Sequence, residues 1–126
     1  MIFGIGTDIA EVRRFESWIN NPDIITRFFN SKEINFKGTL ASRCQHLAAR
    51  FAAKEAFSKA LGTGLIYDLK DSYIINNDEG KPALVLENSA KEIFEKRCGN
   101  YEDYNIHISL SHEKEYAIAY VIIEKK

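Results

Sequence analysis

The sequence predicts a single domain, residues 1–126, in which helices and strands are mixed. Residues 40–61 contain neither glycine nor proline and are rich in alanine, which is typical of a long helix. Two further regions, residues 71–87 and 105–124, each contain two strand-length segments around a short polar connection. One long helix and several strands are the expected framework.

The composition is that of an ordinary globular protein, and the net charge limits the classes of partner that we expect. Hydrophobic residues make up 45% of the chain and charged residues 28%, which excludes a disordered or fibrous protein. The 17 Lys and Arg against 18 Asp and Glu give a net charge of −1, so the strong positive charge of a dedicated duplex nucleic-acid-binding protein is absent. We expect no nucleic-acid partner.

The cysteines and the apolar segments indicate a cytoplasmic location. Cys44 and Cys98 have neither the spacing of paired metal ligands nor a disulfide framework around them. The first residues lack the basic region of a signal peptide, and the longest apolar stretch, residues 116–123, is much shorter than the roughly 20 residues that span a bilayer. We expect no membrane partner.

The first strand is predicted over residues 2–9. Strand alternation puts Gly4, Gly6 and Asp8 on one face, so we expect open space beside the Asp8 carboxylate. A second interpretation makes Asp8 the N-cap of the next helix, with Glu11 completing a capping box.

Short helical segments are expected next. Val12, Phe15 and Ile19 have helical spacing, and residues 23–38 contain mixed short-helix signals that include Asn30 as a cap with Glu33 three residues later.

The long helix carries an unusual carboxylate. A rotation of about 100° per residue places Glu55 on the same face as Phe51. A buried carboxylate needs a cation, and Lys59 one turn later or a metal ion would supply it. The alternative is an ordinary surface ion pair between Glu55 and Lys59.

A hairpin and a third helix are predicted after the long helix. Residues 71–76 and 83–87 are its two strands, and the turn between them contains glycine and proline. Ser89 and Glu92 have the spacing of a capping box for a helix that ends at Gly99.

Two strands, residues 105–112 and 116–124, complete the predicted elements. His107 lies on the polar face of the first, whereas His112 shares the apolar face; His46 is expected at the surface. The second strand is apolar on both faces, which indicates burial by the fold or by another subunit.

Asp8 and Glu55 together could provide two oxygen ligands for one divalent cation. Magnesium is commonly held by one or two carboxylates plus substrate phosphates, whereas zinc prefers His or Cys. Lys59 and the glycines after the helix favour a nearby phosphate. This pattern indicates phosphoryl chemistry without specifying the reaction, and Gly-Thr-Gly is also a common helix end.

Four sequence blocks resemble one known family along almost the whole chain. They are GIGTDI at residues 4–9, RFAAKEAFSKALGTG at residues 50–64, NDEGKP at residues 77–82 and HISLSH at residues 107–112. The chain resembles the bacterial holo-[acyl-carrier-protein] synthases, which are 4'-phosphopantetheinyl transferases. The turn before residue 80 is one residue shorter than in many of them, and residues 20–25 contain few basic side chains.

The resemblance implies a fold and an activity. The fold would be α+β, with a long helix against an antiparallel sheet, assembled as a homotrimer with active sites between subunits. The activity would be transfer of 4'-phosphopantetheine from coenzyme A (CoA) to a serine of apo-acyl carrier protein, with magnesium as cofactor, in support of fatty acid biosynthesis.

The resemblance also assigns roles to individual residues. Asp8 and Glu55 would bind magnesium, and Lys59 would contact the phosphates as a third catalytic residue. Further CoA contacts would come from the loop and from a neighbouring subunit: Gly62, Thr63, Gly64, Lys81, Pro82 and His107. Arg14, with Arg27, would face the acidic helix of the carrier protein.

Two other functions are compatible with the residues alone. One is a different magnesium-dependent phosphotransferase or phosphohydrolase that needs no protein acceptor. The other is a non-catalytic interaction domain, in which Glu55 only pairs with Lys59.

Overall fold

The computed structural model describes residues 1–34 and 37–126. Within these residues there are five strands: β1 (Ile2–Glu11), β2 (Ser72–Asn76), β3 (Pro82–Leu86), β4 (Tyr104–His112) and β5 (Tyr116–Lys125). They also contain four α-helices: α1 (Glu16–Ile19), α2 (Pro22–Phe28), α3 (Leu40–Leu61) and α4 (Asn88–Cys98). The strands form an antiparallel three-stranded sheet in the order β1-β5-β4 and a separate β2-β3 hairpin. The predicted α+β class is confirmed.

Helix α3 has the bounds that the sequence predicts. Its N-terminus is capped by the Thr39 side chain, which accepts a hydrogen bond from the Ser42 amide at 3.1 Å. Its C-terminus is capped by Gly62, which adopts the left-handed conformation with φ of +82°. Twenty-two residues correspond to a helix of about 33 Å.

Two local interpretations are wrong for identifiable reasons, and one predicted helix is present with a different first turn. Asp8 does not cap a helix, because β1 extends to Glu11 and places Asp8 inside the strand. The segment after β1 begins as a 3-10 helix at Val12–Phe15 before α1. Ser89 does not cap α4, because the helix begins at Asn88 and the Ser89 hydroxyl donates to Asp71 instead, at 2.5 Å.

The region after α1 contains the predicted capping box. Asn30 and Glu33 cap a 3-10 turn at Ser31–Glu33, where the backbone amide of Asn30 donates to the Glu33 carboxylate at 3.0 Å. Residues 35 and 36, which belong to the segment with short-helix signals, lie outside the described residues.

The core lies between α3 and the inner face of the sheet. Small residues of α3, including Ala52, Ala53 and Ala56, are buried where the helix packs on β1 and β5, and β5 contributes the buried residues Ala117 and Ala119. Because these side chains are small, the helix backbone approaches the sheet closely. On the other side of α3, Phe57 stacks on Phe94 of α4 with ring centroids 6.4 Å apart.

A fully buried ion pair fixes α3 to the segments around it. The Lys54 ammonium lies 2.6 Å from Glu33, and both side chains are fully buried. Lys54 also donates to the Leu69 carbonyl at 2.9 Å and to the Ser72 carbonyl, while Glu33 accepts from the Ile74 amide at 2.9 Å. Burial lowers the pKa of Lys54, and the charge of Glu33 opposes this shift.

The outer face of the sheet remains apolar and exposed in the single chain. Ile5, Ile9 and Tyr120 are 71%, 58% and 59% exposed. They belong to facing positions of β1 and β5, where Ile5 pairs with Ile122 and Thr7 with Tyr120. Among the described residues, no helix has the length and apolar character that crossing a membrane requires.

Candidate active site

Asp8 and Lys59 are joined where β1 crosses α3. The Lys59 ammonium lies 3.0 Å from Asp8 Oδ1 and donates to the Thr7 carbonyl, also at 3.0 Å. The Asp8 side chain is 18% exposed and the Lys59 side chain 54% exposed. Lys59 thus reaches back to β1, so its partner is Asp8 rather than Glu55, and the predicted Glu55–Lys59 pair is not the arrangement that forms.

Glu55 completes this group of charges from one turn earlier on α3. Burial, followed by the negative charge of Asp8, raises the pKa of Glu55, whereas the charges of Lys59 and Arg14 oppose the rise. The two carboxylates are therefore close enough to repel each other. The predicted convergence of Asp8, Glu55 and Lys59 is what the structure contains.

Two glycines in β1 allow the backbone of α3 to approach the strand closely. A Cβ at Gly6 would lie 1.9 Å from the Ala56 carbonyl oxygen, and one at Gly4 would lie 1.9 Å from that of Ala60. The expected open space beside Asp8 is thus filled by the α3 backbone. The glycines let the helix lie against the strand at the positions that carry Glu55 and Lys59.

The loop after α3 has the backbone freedom that the sequence indicates. Gly62 and Gly64 both have positive φ, at +82° and +69°. The Arg97 guanidinium donates to the Leu61 carbonyl at 2.6 Å and holds the start of the loop, while the Thr63 hydroxyl donates to the Gly64 carbonyl at 3.0 Å. Gly62, Thr63 and Gly64 follow directly on the helix that carries Glu55 and Lys59.

The arginines predicted to face a partner rest on aromatic rings. The Arg14 guanidinium lies 5.0 Å from the Phe51 ring centroid and 5.3 Å from that of Trp18. Arg27 lies 5.5 Å from the Phe28 ring, which stacks on Trp18. Since Phe51 is one helical turn before Glu55, Arg14 lies at the edge of the carboxylate site. These cation–π contacts position both guanidinium groups.

The remaining predicted contacts lie elsewhere on the chain. His107 is exposed on β4 and pairs with Glu124 at 2.9 Å. Lys81 is exposed at the end of the β2-β3 turn, where its amide donates to the Asn77 side chain at 2.8 Å. Pro82 borders a cleft of about 360 Å³ that has none of Asp8, Glu55 and Lys59 among its described lining residues.

Arg50 in this cleft was not predicted as a site residue. It is 7% exposed, and its Nε has no hydrogen-bond partner among the described residues. His46 and His112 line the same cleft. His46 is half-buried, contrary to the expected surface position, because its ring contacts the Glu33 carbonyl at 2.7 Å. An arginine inside an otherwise apolar helical stretch was the available signal.

A family model described as the 4'-phosphopantetheinyl transferase superfamily matches residues 4–121. The chain belongs to this superfamily. A holo-[acyl-carrier-protein] synthase of Treponema denticola is 46% identical, over 98% of this chain and 99% of that protein. One from Clostridium perfringens is 40% identical, over 98% of this chain and 95% of that protein.

Solved structures of superfamily members agree with the fold. A holo-[acyl-carrier-protein] synthase from Neisseria meningitidis has a TM-score of 0.83 and 30% identity, and the match covers 99% of this chain and all of that one. A synthase from Bacillus anthracis in complex with CoA (3',5'-ADP) has a TM-score of 0.78 and 35% identity, with 100% and 99% of the two chains covered. The family expected from the sequence is confirmed.

Proposed function

We propose that this chain transfers the 4'-phosphopantetheine group of CoA to a serine of apo-acyl carrier protein and releases adenosine 3',5'-bisphosphate. Its relatives are named for the synthesis of holo-acyl carrier protein, and one related structure holds CoA (3',5'-ADP). The observation that carries the proposal is the convergence of Asp8, Glu55 and Lys59 where β1 meets α3. The product supports fatty acid biosynthesis in a bacterial cytoplasm.

Asp8 and Glu55 are suitable ligands for Mg²⁺. Both provide carboxylate oxygens, and their mutual repulsion is relieved by a cation between them. Within the described residues, no group of three His, Cys, Asp or Glu side chains forms a metal site, so the protein would contribute two carboxylates. Bound Mg²⁺ would neutralise negative charge on the reacting phosphate.

Lys59 and the loop after α3 provide the phosphate contacts in this proposal. Lys59 is half-exposed, so its ammonium can reach a bound pyrophosphate and offset the charge of the leaving group. Gly62 and Gly64, with Thr63 between them, expose backbone that a nucleotide can approach closely.

We further propose a homotrimer built through the outer face of the sheet. Ile5, Ile9 and Tyr120 leave that face more apolar than water-exposed strands normally are, and a neighbouring subunit would cover it. In such an assembly, Lys81, Pro82 and His107 of one subunit contact the CoA bound by the next.

Arg50 adds a contact to the part of the proposed CoA site to which Lys81, Pro82 and His107 belong. A buried guanidinium with an unpartnered Nε favours an anion, and Pro82 lies at the same cleft. A phosphate of CoA is the anion that the proposed reaction supplies.

The carrier protein would dock beside Glu55 through Arg14, with Arg27 nearby. Both guanidinium groups are held on rings, which reduces the side-chain entropy lost when a carboxylate binds. Charge complementarity mainly accelerates encounter and fixes orientation, and both effects would bring the acceptor serine to the metal site.

Intact-protein mass spectrometry of an apo-acyl carrier protein tests the proposal. The carrier is incubated with this protein, CoA and Mg²⁺, and a chelator control runs in parallel. We expect a Mg²⁺-dependent mass gain of one phosphopantetheine, which is lost in Asp8→Asn and Glu55→Gln. The matched controls Asp103→Asn and Glu92→Gln, both at exposed positions, should retain transfer.

The outcomes separate the alternatives. Full transfer by both site variants would contradict the metal assignment. CoA breakdown without modification of the carrier would instead indicate a phosphohydrolase. A folded protein that leaves both CoA and a competent carrier unchanged would contradict an enzymatic function, and circular dichroism verifies the folding.

A further inference from the structure

The ammonium of Lys59 occupies the position of a counterion at Asp8. It lies 3.0 Å from Asp8 Oδ1, and its second hydrogen bond goes to the neighbouring Thr7 carbonyl. Both acceptors lie on β1, whereas Lys59 extends from α3. The charge of Lys59 also acts on Glu55, so one lysine interacts electrostatically with both carboxylates.

We propose that the Lys59 ammonium is an exchangeable cation of the carboxylate site. It pairs with Asp8 in the free protein and moves to the phosphates of CoA when CoA binds. Binding of the divalent cation is then coupled to binding of CoA, with Lys59 as the coupling element. This inference rests on the proposed function and adds an order to it: the free protein should bind the metal weakly until CoA is bound.

The charge balance of the site favours this coupling. With Lys59 on Asp8, the two carboxylates and the Lys59 ammonium carry a combined charge of −1, and Arg14 adds its positive charge near Glu55 whether or not Lys59 is present. A divalent cation brought to Asp8 then meets a positive charge at hydrogen-bond distance from its intended ligand. Removal of the Lys59 charge makes the site more negative by one unit, which favours a divalent cation. The affinity of the carboxylates for metal should therefore rise when Lys59 is neutral or occupied elsewhere.

The exposure of Lys59 makes the exchange feasible. Its side chain is 54% exposed, and ion pairs exposed to water contribute little free energy, so the ammonium can leave Asp8 easily. A lysine has a flexible four-carbon stem and three donors, which allows it to swing from a carboxylate to a phosphate. The glycine loop begins three residues after Lys59, so a nucleotide bound against this loop would lie within reach of the Lys59 ammonium.

A purely structural role predicts a different result. If Lys59 only fastens α3 to β1, removal of its charge lowers the unfolding midpoint and leaves the metal affinity unchanged or weaker. Measurement of metal binding without CoA therefore separates the two roles. Such binding is also independent of transfer activity.

The experiment measures Mn²⁺ binding to the CoA-free protein by electron paramagnetic resonance. We compare the unaltered protein with Lys59→Met and Lys59→Arg, and with Lys59→Met combined with Asp8→Asn. Lys125→Met is the matched control. The backbone amide of Lys125 donates to the Met1 carbonyl, which precedes β1, and seven residues of strand separate Met1 from Asp8 by about 23 Å. This substitution removes the same charge from a distant position.

We expect Lys59→Met to bind Mn²⁺ at least tenfold more tightly than the unaltered protein. Lys59→Arg and Lys125→Met should bind like the unaltered protein, and the double variant should lose the gain. Added CoA should tighten Mn²⁺ binding more in the unaltered protein than in Lys59→Met, after correction for Mn²⁺ bound by CoA alone. Equal or weaker Mn²⁺ binding by folded Lys59→Met would overturn the inference.

The transfer assay keeps this test separate from the proposed function. Mg²⁺-dependent transfer by the unaltered protein, together with unchanged Mn²⁺ affinity in Lys59→Met, would contradict only the exchange. Absence of transfer with a competent carrier would contradict the function itself. If Lys59→Met does not fold, Lys59→Gln provides the same loss of charge with a polar side chain.

Discussion

A single methyl group at Gly6 should move helix α3 away from strand β1. In Gly6→Ala, the new Cβ would lie 1.9 Å from the Ala56 carbonyl oxygen and 2.7 Å from the Ala60 nitrogen, whereas real contacts of this kind begin near 3.0 Å. The helix or the strand must therefore shift by about 1 Å, and the shift falls where Asp8 faces Glu55.

Both stability and activity should respond. Overpacking of this kind costs about 1–3 kcal/mol, and each kcal/mol lowers the melting temperature of a domain this size by about 4 °C. The larger effect should be on transfer, since a misplacement of about 1 Å in a catalytic group can cost about 10²-fold in rate. Thermal denaturation followed by circular dichroism and the mass-spectrometric transfer assay measure the two effects.

The controls for Gly6→Ala exploit the identity of the clashing atoms. Thr7→Ala alters the exposed face of the same strand and, as a control for the melting temperature, should leave the inner packing intact. Combination of Gly6→Ala with Ala56→Gly should give no rescue, because the clash is with a backbone oxygen rather than a side chain. A Gly6→Ala protein with unchanged melting temperature and full transfer would refute the role assigned to this contact.

Three further predictions concern other parts of the molecule. Lys54→Met should cost about 3–5 kcal/mol in urea denaturation because it leaves Glu33 buried without its cation; a loss under about 1 kcal/mol would contradict this. Burial lowers the pKa of His46, so the folded protein should lose stability as pH falls below the unfolded value of about 6.5, and His46→Gln should reduce that loss when urea midpoints at pH 7 and 5.5 are compared. An equal loss in both proteins would exclude His46 as its source. Arg14→Ala should raise the KM for the carrier protein by about three- to tenfold, more strongly at low salt, and leave the KM for CoA unchanged in steady-state assays; equal changes in both constants would place Arg14 at the CoA site instead.

The sequence predicted the elements whose signals are local. Helix α3 was predicted with its observed bounds, because an alanine-rich segment without glycine or proline ends at a glycine in the left-handed conformation. The α+β class and the family also followed from the sequence, the latter from four blocks spread over the chain. The assignments of individual site residues stay predictions that the proposed variants test.

Long-range contacts account for what the sequence analysis missed. Glu33 and Lys54 look like ordinary surface residues in a linear sequence, yet they form a buried pair across 21 positions. Ser89 had the spacing of a helix cap, but its hydroxyl donates to Asp71 from another segment instead. In the same way, Lys59 had a neighbour of opposite charge one turn away and paired with a residue of β1. For Ser89 and Lys59, tertiary structure replaced a local partner with a distant one, whereas Glu33 kept its local partner Asn30 and gained Lys54.

The first two sequence blocks that carry the family resemblance are the two sides of one packing contact. The block at residues 4–9 contributes Gly4 and Gly6, and the block at residues 50–64 contributes the helix backbone that fills the space above them. Any side chain at the glycines would separate Asp8 from the helix, and a longer separation would leave Glu55 without its counterpart. Glycine in the strand and carboxylates on both elements are thus parts of a single requirement. A chain that keeps the carboxylates and replaces the glycines should therefore keep both carboxylate side chains and lose the proposed metal site.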